Sequence, residues 1–163
     1  MLYTTFKLAK EAGAGPSSYR RYARHVGGVK KYGVLSPIPL TDVTRVCGIL
    51  DALWGLQCTT EPVEAERLGQ SLAADFAEHV LPIWEKYYPA DPRPRQAIEA
   101  TRLYLDGEIT EATRAGAGAA AGAAAGEATR PGAGAAAWVA ALAAAGAGEL
   151  EWQKQHFIEV LER

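Results

Sequence analysis

The chain has 163 residues, with 17 Lys+Arg against 19 Asp+Glu. That length suits one domain around one core, and a net charge of −2 offers no global attraction to DNA, RNA or acidic membranes, so bulk nucleic-acid binding is excluded as an expectation. Hydrophobic residues at 48%, with four Trp and seven Tyr, exclude a wholly disordered chain, although much of that fraction is Ala, which buries little area. Charge is uneven: residues 1–60 hold eight Lys or Arg against Glu11, Asp42 and Asp51, a local balance of +5 that leaves −7 for the remainder.

Residues 2–12 have apolar positions near helical spacing and end at Gly13, Gly15 and Pro16, which predicts a short helix. Ser17 or Ser18 offers the N-cap oxygen for a second helix over 19–26, stopped by Gly27 and Gly28. Pro37 and Pro39 make 29–40 an extended loop with room for a short strand. Thr41 caps a third helix over 42–47, and Ile49, Leu50, Leu53, Trp54 and Leu56 form a strongly apolar helix expected in the core. From 62 to 88 the set Val63, Leu68, Leu72, Phe76, Val80, Ile83, Trp84 and Tyr87 recurs at threes and fours, an amphipathic helix with a kink or break near 78–79 because Pro82 lies inside it. Asp91, followed by Pro92 and Pro94, starts a helix over 93–105, and Thr110 caps the next.

Between 115 and 148, 27 of 34 residues are Ala or Gly, which permits either a linker or close-packed helices. Gly118, Gly122 and Gly126 fall four apart on one helical face, where small residues let backbones approach, and this favours two thin helices broken at Arg130, Pro131 and Gly132. The expectation is therefore an all-α, single-domain helical bundle over 1–163. Its parts are a basic helical region over 1–60, central amphipathic helices over 61–114, close-packed Ala/Gly helices over 115–148 and a C-terminal helix over 149–163, with homo-oligomers built through the small-residue faces.

Cys47 and Cys58 are too few for a disulfide-stapled scaffold and read as reduced small hydrophobes. The N-terminus lacks a signal-peptide pattern, and the uncharged stretch 131–148 is too weakly apolar to span a bilayer, so a cytoplasmic location without a membrane segment is the expectation. His25, His79 and His156 lie far apart, outside metal-ligand spacing, and no phosphate loop, dinucleotide fingerprint or nucleophile elbow occurs; no metal, cofactor or catalytic residue is assigned. Glu78, His79 and Glu85 share a helix and form either an acid/base group or a solvated face.

Two clusters suit an anion. Tyr19, Arg20, Arg21, Tyr22, Arg24 and His25, then Gly27, Gly28, Lys30, Lys31 and Tyr32, put Arg20 and Arg24 on one helical face beside Tyr rings and permissive glycines, a combination fitted to a phosphate-bearing ligand with a base. The alternative is pairing of these cations with Glu of the long helices and packing of the tyrosines. Asp91, Arg93 and Arg95 at a helix start form the second cluster, with a structural alternative in which Asp91 caps the helix and Arg93 or Arg95 pairs with Glu99.

The run FAEHVLPIWEKYYPADPRPRQAIEA over 76–100, the GEIT turn from Gly107 and the Ala-rich tail resemble the Imm5-like immunity protein family. The N-terminal EAGAG, Tyr19-Arg20, GGVKKYG over 27–33, SPIPL over 36–40 and DALW over 51–54 are similar to the form found in phage and prophage proteins. The tail departs from the pattern, with Gly or Ala at many positions where Trp, Arg or Asp is usual. The resemblance implies an all-helical bundle of phage or mobile-element origin. Two functions follow as expectations: a non-enzymatic counter-defence protein that sequesters a nucleotide-type signal, or an inhibitor that blocks a toxin or host defence effector.

Overall fold

A computed structural model describes residues 1–128 and 133–163, and the side chains of these except 124–145 and 147. The protein is all-α, with nine α-helices and one two-stranded ribbon among the described residues. The chain divides into two compact units, one formed by Met1–Gly69 with Leu150–Arg163, the other by Gln70–Glu149. The predicted break at Arg130, Pro131 and Gly132 lies outside the described residues.

The first unit opens with β1 (Tyr3–Thr4) rather than directly with a helix. Thr5 accepts from the Leu8 backbone and so caps α1 (Phe6–Glu11), which moves the helix start inward from the predicted boundary. Helix α2 (Pro16–His25) begins at Pro16, whose fixed φ and missing N–H suit the first turn. Ser18 is thereby released from the predicted capping role and donates instead to Asp51 at 2.7 Å. One turn of helix, α3 (Val29–Tyr32), precedes β2 (Ile38–Pro39), which pairs antiparallel with β1, Thr4 opposite Ile38. Then follow α4 (Leu40–Cys47), α5 (Ile49–Gly55) and a 3-10 turn at Leu56–Cys58. Helix α4 starts before Thr41, which is buried instead of capping.

The core of this unit is built around Phe6, whose ring meets Tyr19, Tyr22 and Tyr32 edge-on with centroids 5.1, 5.9 and 6.0 Å away. Ile38 from β2 closes the same cluster, and Val26, Val29, Val43 and Val46 pack at its margin. Two sequence expectations fail here: Leu50 is 70% exposed and Trp54 only half-buried, because α5 turns Ile49 and Ala52 inward instead. Gly55 is buried where an added Cβ would stand 3.1 Å from the Leu40 side chain, which would have to shift to admit it, so α5 and α4 approach closely here.

Helix α6 (Pro62–Tyr87) is one continuous helix with Pro82 inside it, so of the expected kink or break the break does not occur, and its Val63 is exposed. In the second unit its Ala74 and Leu81 form a buried cluster with Ile98 of α7 (Arg93–Leu105), while Trp84 packs against Tyr88 with tilted rings whose centroids are 4.6 Å apart. Helix α8 (Glu111–Ala128) packs on α7 and is capped by Thr110, which accepts from the Thr113 backbone at 3.3 Å. The chain closes with α9 (Ala133–Glu162), continuous across the predicted boundary at 148–149. Among the described residues, no atom crowds the faces of Gly118 or Gly122, so close packing on these two glycines is not seen. Phe157 and Leu161 of α9 are buried in the first unit, where Arg45 of α4 pairs with Glu162. No helix among the described residues is long and apolar enough to cross a membrane.

Candidate functional site

The basic residues of α2 and α3 lie on the outside of the Phe6 cluster. Helical geometry separates the two roles: Tyr19 and Tyr22 turn toward Phe6, and Arg20, Arg21 and Arg24 take the solvent side. Burial pushes the Tyr22 hydroxyl far above its ordinary pKa, with Tyr32 and Asp42 adding to the effect, so Tyr22 stays neutral. Tyr32 packs on Phe6 and donates its hydroxyl to the Pro37 carbonyl at 2.8 Å. These tyrosines, expected as stacking platforms for a base, thus serve the core: Tyr22 is buried, and Tyr19 and Tyr32 are half-buried against the same ring.

The cations are placed differently. Arg20 donates from Nε to the Pro16 carbonyl at 3.0 Å, and Arg24 from Nε to the Arg20 carbonyl at 3.4 Å, both bonds to backbone of their own helix. Arg21 donates to the Cys47 carbonyl at 3.3 Å. Lys30 and Lys31 stand exposed on α3. Among the described residues, none of these five has a carboxylate partner, whereas Lys7 pairs with Glu11 and Arg45 with Asp42 and Glu162. The sequence alternative is therefore half realised: the tyrosines pack, and the cations are not neutralised by the long helices. Arg20, Ala23, Arg24, Gly27 and Gly28 line an open surface concavity. Gly28, at φ 105°, makes the turn into α3 with a backbone that L side chains resist.

The second unit shows the opposite arrangement. Arg102 bridges Asp75 and Glu78, Arg95 pairs with Glu85, Arg114 with Glu111, and His79 Nδ1 meets Glu149 at 2.7 Å. Asp91 accepts from the Arg93 backbone at 3.1 Å and from its guanidinium at 2.8 Å, and these bonds hold its carboxyl below the usual range. Arg93 and Arg95 thus reach carboxylates, with Glu85 rather than Glu99 as the partner of Arg95, and Glu78, His79 and Glu85 each contact a different partner, Arg102, Glu149 and Arg95. No group of three or more His, Cys, Asp or Glu among the described residues is placed to hold a metal ion. Cys47 and Cys58 are both reduced, their thiol pKa values raised first by burial.

The sequence model of the Imm-5 like putative immunity protein family matches residues 68–153, which spans most of α6, all of α7 and α8 and the greater part of α9. The chain belongs to this family. Among curated proteins and solved structures none matches it. In this immunity-family chain the matched segment holds the ion pairs of Arg95, Arg102 and Arg114, and the basic band lies in the N-terminal region outside the match.

Sequence reasoning identified Arg20 and Arg24 because four-residue spacing places side chains on one helical face, and Lys30 and Lys31 because they follow in the same basic, Gly- and Tyr-bearing cluster. It missed the Asp51–Ser18 contact, since no periodic pattern links residues 33 apart in the chain.

Proposed function

We propose that the chain is a non-enzymatic immunity protein that binds and blocks a toxin or effector protein, docking through the basic band of Arg20, Arg21, Arg24, Lys30 and Lys31. The observation that carries the reading is the family match over 68–153. Charge supports the choice of face. A side chain already in an ion pair adds little steering, while unneutralised charge raises association rates and selects a complementary surface. The carboxylates Asp75, Glu78, Glu85, Asp91, Glu111 and Glu149 are engaged within their own unit, and the five cations of the band are not. The partner's contact surface is accordingly acidic.

The test is affinity capture with the tagged chain from its source cells, identification of the captured protein, and measurement of its affinity for the wild-type chain and for Arg20→Glu with Arg24→Glu. Loss of roughly a hundredfold on charge reversal, and steep weakening between low and high salt, are the expected results. Equal affinity of both chains would overturn the proposed face.

A second reading has its own support. The concavity of Arg20, Arg24, Gly27 and Gly28 suits a phosphate-bearing ligand, because guanidinium forks and open backbone recognise phosphate oxygens. In that case the chain is a phage-type counter-defence protein that sequesters a nucleotide signal in the host cytoplasm. A thermal shift with mono-, di- or cyclic nucleotides, with the nucleotide recovered unchanged after denaturation, distinguishes this from a protein partner. Light scattering tests the homo-oligomer expected from the Ala/Gly faces.

A further inference from the structure

Between α1, α2, α4 and α5 lies a cavity of about 410 Å³. It is open to solvent on one side, and its lining is mainly apolar, with Tyr19, Val43, Leu50 and Trp54 as accessible walls above the buried Phe6, Tyr22 and Leu40. Two features set it apart from a packing defect. Its volume falls within the range of sites that enclose small organic molecules and is well above the roughly 150 Å³ that suffices for benzene. Its polarity is concentrated: Asp51 is the single charged side chain in the wall, and Ser18 beside it donates to that carboxylate at 2.7 Å. A carboxylate has acceptor sites for about four hydrogen bonds, and Ser18 takes one, which leaves Asp51 able to receive a donor from a bound molecule. Half-buried Trp54 and exposed Leu50, which departed from the sequence expectation, both line this cavity.

We infer that this cavity is a binding site for a small aromatic amine, with the apolar walls holding the ring system and the Asp51 carboxylate, oriented by Ser18, receiving the ammonium group. The cost of placing a half-buried carboxylate in an apolar wall is offset when a cation bonds to it, so an ammonium ligand is preferred over a neutral or anionic one of the same shape. The inference stands apart from the basic band and does not depend on a protein partner.

The experiment uses the full chain and tryptamine as probe, with indole and indole-3-propionate as neutral and anionic comparators. Calorimetric titration is expected to show saturable tryptamine binding that weakens roughly tenfold in Asp51→Asn, with little change for indole. Ala9→Leu, which fills the cavity from α1, is expected to abolish binding of both. Cys47 lines the same cavity, so tryptamine is also expected to slow alkylation of its thiol in the wild-type chain, read by peptide mass; this arm stands even if Ala9→Leu fails to fold. Absence of saturable binding, affinity unchanged in Asp51→Asn, propionate bound as tightly as the amine, or Cys47 alkylation unaffected by the probe would each overturn the assignment.

Discussion

Replacing Phe6 by Ala tests the division of labour between the tyrosines and the cations. Phe6 is 2% exposed, and its ring is the shared partner of Tyr19, Tyr22 and Tyr32 at 5.1 to 6.0 Å. Truncating a buried Phe to Ala costs about 3–5 kcal/mol through lost transfer energy and the remaining void. Each edge-to-face pair adds about 0.5–1.5 kcal/mol beyond area, which puts this position at the top of that range. Against a total stability of about 5–15 kcal/mol, such a loss removes a large part of what holds the first unit together. Phe6→Leu keeps most of the volume and loses the ring contacts, so about 1–2 kcal/mol is expected. The assay is urea unfolding followed by far-UV circular dichroism and Trp fluorescence. A Phe6→Ala loss below about 1 kcal/mol, or equal losses for Ala and Leu, would refute the reading that one ring organises α2 and α3.

Arg20→Ala with Arg24→Ala should leave the melting temperature within about 2 °C, because neither side chain is buried or in an ion pair; unfolding of the double variant would show that the band is structural. Gly33→Ala should destabilise by about 1–3 kcal/mol, since φ is 105° there and the new Cβ would stand 2.4 Å from Ser36 Oγ; a neutral result in thermal melts would contradict the turn geometry. Arg102→Ala should cost about 1 kcal/mol in urea unfolding through loss of its bonds to Asp75 and Glu78, and Arg102→Lys should restore only part. In acid, the carboxyls of Asp91, Glu111 and Glu151 lie below their ordinary values of 3.8, 4.5 and 4.5, through bonds from Arg93, Arg114 and Gln155 respectively. A depressed native pKa stabilises above the ordinary value and is lost as pH falls through the depressed one, so the melting temperature should drop below about pH 4.5 and Asp91→Asn should shallow that drop. A flat profile would contradict the three assignments.

Much of the helical framework was legible in the sequence because its signals are local. The cap at Thr110, the start at Arg93 after Asp91 and Pro92, and the periodicity of α6 all act within a few residues. The departures arise where distant partners decide. Ser18 gives up a cap for Asp51, Thr41 is buried instead of capping, and α6 does not break at Pro82, where Leu81 and Trp84 beside it are buried. The exposure of Leu50 and partial exposure of Trp54 were hidden for the same reason: apolar composition marks a segment for burial without saying which of its faces turns inward. For the candidate site, the residues of the basic band were legible from their clustering in the sequence, with Arg20 and Arg24 placed on one face by spacing. That its tyrosines turn to Phe6 and its arginines go without carboxylate partners depends on tertiary placement.

The claim that this immunity-family chain acts by blocking a protein partner is tested most directly by growth. Cells expressing the captured partner are compared alone, with the wild-type chain, and with Arg20→Glu plus Arg24→Glu, at matched protein levels. The account predicts arrested growth with the partner alone, recovery with the wild-type chain, and renewed arrest with the charge-reversed chain. Recovery that is equal with both chains, or absent with either, would contradict it.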